Sequence, residues 1–141
     1  MNTLDMPTMI AELRRDEGVR LKPYRDTVGK LTIGVGRNLD DVGISEDEAN
    51  AMLQNDISGA CGDLDDALPW WETLDPVRQR VLVNMCFNMG IETLLGFHAT
   101  LGAVQRGDWQ AAHDGMLASH WADQVGARAQ RLANMMLTGE A

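Results

Sequence analysis

Ser45 and Glu48 stand three residues apart at the head of a run in which apolar side chains recur at Ala49, Met52, Leu53, Ile57, Ala60, Cys61, Leu64 and Leu68. A Ser followed three residues later by Glu caps a helix reciprocally, and the apolar spacing that follows is helical. Together they predict one helix of about six turns over 46–68. A helix that long separates two stretches of different texture. Before it, Pro7 to Glu17 carries Met9, Ile10 and Leu13 as a stripe, with Pro7 suited to a first turn and Gly18 to a stop. From Gly18 to Gly43 glycines punctuate short β-prone runs such as Leu31-Thr32-Ile33, which predicts a small antiparallel hairpin with loops. After the long helix, Pro69-Trp70-Trp71 breaks the pattern and Asp75-Pro76 caps a helix toward Gly90. Further helices are predicted near 93–106 with an interruption at Gly96, over 108–117, and over 126–137. The expected fold is mainly helical α+β, with an N-terminal lobe at about 1–45, a connecting helix at about 46–68 and a helical C-terminal lobe at about 69–141. A cleft between two such lobes is a common place for a ligand.

The chain has 141 residues, 45% of them hydrophobic, which is enough for one domain with a proper core. No run approaches the length of a membrane span, and Met1 to Glu17 carries Asp5, Glu12, Arg14 and Arg15 where an export signal would be apolar. Cys61 and Cys86 with three scattered histidines fit neither a disulfide framework nor a zinc site, and are expected to be two small buried thiols. The formal charge of −9 argues against a nucleic-acid binder. Residues 46–75 hold nine acids (Glu46, Asp47, Glu48, Asp56, Asp63, Asp65, Asp66, Glu72 and Asp75) and no Lys or Arg, while the flanking regions each sum to zero. The acidic block reads as a solvated helix face, and both flanks remain able to meet an anionic partner.

Three residues suggest chemistry. Glu17 closes the first helix, where the helix dipole is negative and disfavours a carboxylate charge; that suits a group that must deliver a proton. Asp26, in Tyr24-Arg25-Asp26-Thr27, precedes the Gly29 turn and by itself reads as a turn aspartate. Thr32 shares a strand face with Gly34 and Gly36, so one face presents a hydroxyl beside two bare backbone positions. A protonated and an ionised carboxyl across a cleft mouth are what glycoside hydrolysis requires. By spacing alone this is a weak signal: Glu17 and Asp26 read first as an ordinary helix-end glutamate and a turn aspartate, and Thr32 reads equally well as a plain strand residue.

The run from Asp16-Glu17-Gly18 through Tyr24-Arg25-Asp26-Thr27 to Thr32-Ile33-Gly34-Val35-Gly36 closely resembles the active-site segment of the phage-type lysozymes, glycoside hydrolase family 24. The likeness continues at Asn84-Met85-Cys86-Phe87-Asn88-Met89-Gly90, at Ser119-His120-Trp121-Ala122-Asp123-Gln124 and at Arg128-Ala129-Gln130-Arg131. It implies a single lysozyme-like two-lobe domain that hydrolyses the β-1,4 bond between N-acetylmuramic acid and N-acetylglucosamine by an inverting route. Glu17 would be the acid, Asp26 the ionised carboxylate and Thr32 the holder of the attacking water. Gly36, Phe87, Thr100 and Gln124 match sugar-contacting positions, and Asp16 and Arg128 match a supporting pair. Trp109 and Trp121 are expected in the C-terminal core; Trp70 and Trp71 have no matched counterpart and fit core, sugar platform or exposed patch.

The departures are specific. Arg37 stands where many relatives have His, which leaves the family's helix-pairing contact there open. The stretch from Arg37 to Ile44 is short, which predicts a bare hairpin rather than a three-stranded sheet. Gly115 stands where the family has a sugar-contacting Asn, so that contact is expected to be lost. The resemblance further implies a monomeric endolysin without cofactor or metal. It would be made in the host cytoplasm and act on peptidoglycan in the periplasm once a separate holin gives access. The intact Glu17, Asp26 and Thr32 set favours this over a non-catalytic wall-binding module or a lytic transglycosylase.

Overall fold

The computed structural model describes residues 3–141. They divide into two compact units, Met1–Ala51 and Met52–Ala141, and one long helix runs across the boundary. In the first unit, α1 (Met6–Glu17) is capped by Asp5, whose carboxylate accepts from the Thr8 N–H and hydroxyl. Three antiparallel strands follow in the order β1 (Arg20–Arg25), β2 (Leu31–Gly34), β3 (Arg37–Asn38). Tyr24 pairs with Thr32, and Ile33 and Thr32 pair with Arg37 and Asn38.

The third strand corrects the expectation of a bare hairpin. Gly34 and Gly36 take φ of 69° and 78°, a region that side-chain-bearing residues rarely enter. They reverse the chain tightly enough for Arg37-Asn38 to lie back along β2. The Leu39 N–H then donates to the Leu31 carbonyl at 2.7 Å and the Leu31 N–H to Asp40 Oδ2 at 2.8 Å, which extends the pairing into the loop. A shortened segment thus still builds a strand, because two glycines replace the length.

The long helix, α2 (Glu46–Ala67), ends one residue from its expected boundary. Its capping box forms as the sequence implies: the Ser45 N–H donates to Glu48 Oε1 and the Glu48 N–H to Ser45 Oγ. Glu48 also receives both arms of the Arg37 guanidinium, Nη1 to Oε1 and Nη2 to Oε2, each at 2.8 Å. A strand-to-helix contact therefore exists at the position where Arg replaces the usual His. These bonds, the Arg37 fork first and the Ser45 N–H next, pull the Glu48 carboxyl down to about 2 from its ordinary 4.5.

The second unit is helical: a 3-10 turn (Pro69–Thr73), α3 (Pro76–Met89), α4 (Ile91–Leu95), α5 (His98–Arg106), α6 (Trp109–Leu117), α7 (His120–Val125) and α8 (Ala127–Thr138). The helix predicted from Thr93 begins at Ile91, with Gly90 (φ 84°) closing α3 and opening α4, and Gly96-Phe97 supplies the interruption. α7 was not anticipated. Its signal is Ser119, whose hydroxyl accepts from the Ala122 N–H, and at six residues it is too short to show periodicity. Val81, Leu82 and Met85 of α3, Val104 of α5, Met116 of α6 and Met136 of α8 are buried together. Trp121 joins that core, its ring edge-on to Phe97 and its Nε1–H on Asn88 Oδ1, and Trp109 packs at its margin. Trp71 is buried with its Nε1–H on Asp65, and Trp70 packs half-buried against the core, which resolves both as structural. Cys86 is buried as expected and burial pushes its thiol up; Cys61, expected to be buried too, is only half-buried, at the margin of the core.

One arginine fastens the ends of this unit. Arg78 donates Nε to the Met136 carbonyl at 2.7 Å and Nη2 to the Leu137 carbonyl at 3.0 Å, which satisfies the orphan carbonyls of the last turn of α8. Nη1 meets Asp75 Oδ1 at 3.1 Å, and the guanidinium stacks 3.8 Å above the Trp109 ring. Burial pushes the Asp75 carboxyl up, but the Arg78 N–H and guanidinium outweigh it and leave it below the usual range. Arg78→Met should lower the unfolding free energy by about 3 kcal/mol, as expected for removing one partner of a mostly buried charge network. Urea denaturation measures it, and a loss below about 1 kcal/mol would show the network to be incidental.

The Glu48 carboxyl sets an acid limb. Its folded value lies below its unfolded one, so its stabilisation is fully present above about pH 4.5 and is lost as pH falls through about 2. In thermal melts from pH 5 to pH 2, the gap between the parent and Glu48→Gln should close toward pH 2. A gap that stays constant would contradict the assignment.

Candidate active site

Glu17 is the last residue of α1, and Gly18, at φ 75°, ends the helix by donating its N–H to the Arg14 carbonyl at 2.9 Å. The exposed carboxylate of Glu17 reaches the β2–β3 turn. A Cβ at Gly36 would lie 3.6 Å from Glu17 Oε2, so the acid sits over bare backbone. The left-handed φ of 78° is what calls for glycine in this turn, and the carboxylate stands beside a position with no side chain to cover it.

Asp26 lies in the β1–β2 turn. Its Oδ1 accepts the Val28 N–H at 3.0 Å and the Lys30 N–H at 2.8 Å, while its own backbone pairs with Lys30. The turn therefore uses one of its two oxygens: among the described residues, Oδ2 accepts no hydrogen bond. Thr32, on β2 directly across from Tyr24, is 4% exposed and is the only buried residue among those described in the first unit. Its hydroxyl donates to the Lys30 carbonyl at 2.9 Å, which leaves the oxygen lone pairs to accept. Both Asp26 and Thr32 thus take their orientation from one residue, Lys30, whose N–H holds the first and whose carbonyl holds the second. Asp16 is exposed and bridges to its neighbour Arg15 at 2.9 Å.

The other expected residues belong to the second unit. Arg128 of α8 donates Nε and Nη2 to Asn84 Oδ1 on α3, at 3.0 and 2.6 Å. Arg128, Asn84, Arg80, Val83 and Phe87 line an open groove of about 480 Å³, with Leu53 and Ile57 of α2 on its other wall. Phe87 is 46% exposed and also borders a smaller, more polar groove of about 350 Å³ with Asn55, Asp56 and Asp63. Phe87 is thus no part of the buried core and stands free to meet a ligand in either groove. Thr100 is buried against Gly115, where any Cβ would collide with its Oγ1. Gly115 and Thr100 thus fit as a pair, and the space of a larger residue at 115 is filled by the threonine. Gln124 is exposed on α7. Sequence reasoning missed Asn84 as the holder of Arg128. Its signal is a polar residue at helical spacing between Arg80 and Phe87.

Residues 14–135 match the family described as Phage lysozyme. The chain belongs to the phage lysozyme family. It is 33% identical over 167 residues to the pre-baseplate central spike protein Gp5 of Enterobacteria phage T4, covering 97% of this chain and 29% of that protein. It is 28% identical over 156 residues to probable T4-type lysozyme 1 of Dictyostelium discoideum, covering 90% and 92%. It is 28% identical over 121 residues to the SAR-endolysin of Escherichia phage Mu, covering 84% and 68%. The chain therefore spans under a third of the spike protein and nearly all of the T4-type lysozyme. The family is one of glycoside hydrolases, and the match takes in Glu17, Asp26 and Thr32 together with α3, α7 and most of α8.

The turn role of Asp26 is testable. Asp26→Asn retains an oxygen for the Val28 and Lys30 N–H groups and should melt within a few degrees of the parent. Asp26→Ala leaves both donors unpaired and should cost about 1–2 kcal/mol. Equal stabilities for the two variants would show that the turn does not depend on Oδ1.

Proposed function

We propose that the protein is a muramidase that hydrolyses the β-1,4 bond between N-acetylmuramic acid and N-acetylglucosamine in peptidoglycan, with inversion at the sugar carbon. The observation that carries this reading is the pairing of Asp26 and Thr32 around Lys30. Among the described residues, one carboxylate oxygen of Asp26 and the hydroxyl lone pairs of Thr32 accept no hydrogen bond. In the proposed reaction, Glu17 gives its proton to the leaving glycosidic oxygen as the C–O bond breaks. A water held by the Thr32 oxygen attacks the sugar carbon from the opposite face, and Asp26 Oδ2 takes the proton that water releases. Asp26 in its ionised form also stabilises the positive charge that builds at that carbon. The site needs no cofactor for these steps.

Gly36, Phe87, Thr100 and Gln124 are proposed to contact sugar, with Asp16 and Arg128 in support. The biological setting that fits is an endolysin acting as a monomeric single domain. It would be made in the host cytoplasm, with a separate holin giving it access to the wall in the periplasm. No helix among the described residues is long and apolar enough to cross a membrane. The identity with a central spike protein supports a second setting, in which the same domain cuts the same bond as part of a phage baseplate component.

Digestion of purified peptidoglycan, followed by mass spectrometry, tests the chemistry. The parent should release muropeptides ending in reducing N-acetylmuramic acid, and Glu17→Gln, equally folded, should release none. Anhydro-ended products would replace the hydrolase with a transglycosylase. Binding without products would leave a wall-binding module. Thr32→Val should retain binding and lose at least about a hundredfold in kcat, the scale on which misplacing a reacting group is felt.

A further inference from the structure

The fork between Arg37 and Glu48 has only a structural role so far, yet Arg37 is the immediate neighbour of Gly36, the position nearest the Glu17 carboxylate. Arg37 follows Gly36, where a Cβ would lie 3.6 Å from Glu17 Oε2, and it pairs with Ile33 on β2. Asn38, next along, pairs with Thr32 itself. β3 is two residues long, too short to hold its register by its own ladder. What holds it is polar. The Arg37 guanidinium meets both Glu48 oxygens at 2.8 Å and the Gly43 carbonyl at 3.1 Å. Glu48 is in turn fixed by the Ser45 N–H at 2.9 Å at the head of α2. A bidentate arginine–carboxylate pair sets orientation as well as distance, which a lysine cannot do.

We propose that the Arg37–Glu48 fork is a positioning device for the reaction: it sets β3 against β2 so that Gly36 lies under Glu17 and Thr32 keeps its place on the sheet. Neither residue touches the reacting atoms; both act through the strand they fasten. This rests on the muramidase reading above. A fork that merely tied the 39–44 loop would affect stability alone, whereas a positioning fork lowers turnover in protein that is fully folded.

The test uses the full chain on purified peptidoglycan, with released reducing ends followed at a temperature where circular dichroism shows every variant folded. Arg37→Met and Glu48→Gln should each lower kcat about tenfold with KM changed less than about twofold, since small misplacements act on the reacting geometry. The double variant should be no slower than either single one, and Arg37→Lys should recover only part of the loss. If Arg37→Met is poorly folded, Glu48→Asp, which shortens the partner by one methylene, carries the same expectation. Unchanged kcat in folded variants, or losses that multiply in the double variant, would overturn the positioning role while leaving the muramidase intact. A parent that releases no reducing ends would overturn the muramidase reading and the positioning role with it.

Discussion

The helical unit depends on what Arg78 does for the ends of its helices. A helix leaves its last carbonyls without partners, and a small unit of short helices has many such ends for its size. Arg78 answers three of these problems with one side chain. It supplies donors to the final turn of α8, it completes the Asp75 cap at the start of α3, and it lays its charged plane on Trp109 at the start of α6. Gly139 belongs to the same arrangement. Its φ of 72° closes α8, and a Cβ there would come within 2.9 Å of Arg78 Nη1. The cation, the aromatic and the terminal glycine are therefore one feature, although 61 positions separate the first residue from the last.

The first unit solves the opposite problem. Its described residues contribute no side chain to the hydrophobic core, and Thr32 alone among them is buried. With little apolar burial to draw on, its order comes from side chains that accept backbone N–H groups or grip each other. Asp26 fastens one turn, Asp40 holds the Leu31 N–H, Asn38 and Asp41 lock the loop, and Glu48 anchors Arg37. Most of these acceptors are carboxylates. Among them Glu48, whose carboxyl the Arg37 fork and Ser45 pull down, ties this unit's stability to pH through a group that takes no part in the proposed chemistry.

What could be read in advance follows from this contrast. The capping box and helical period of 46–68 express local rules, and α2 forms within a residue of expectation. The local structure around Glu17, Asp26 and Thr32 was legible as well, because the three lie within one short segment on a helix end, a turn and a strand. The third strand was not legible. Its length argued against it, and only the left-handed geometry of Gly34 and Gly36, which a sequence marks merely as two glycines, makes room for it. α7 and the Arg78 network escaped for different reasons. The first is too short to show a period, and the second joins residues far apart in the chain through carbonyls that no sequence pattern labels.

Lys30 shows why turn and chemistry are hard to separate here. Its N–H holds one oxygen of Asp26 and its carbonyl receives the hydroxyl of Thr32, while its ammonium pairs with Asp41 in the following loop at 3.1 Å. A change at Lys30 that kept the backbone intact would leave Asp26 and Thr32 oriented, because neither depends on its side chain. A change in the turn's backbone would move both at once. The two groups are thus coupled by covalent geometry rather than by mutual contact. A carboxylate and a hydroxyl proposed to share one water are held here by adjacent peptide units, and the soft dihedrals between those two planes are the φ and ψ of Lys30 alone.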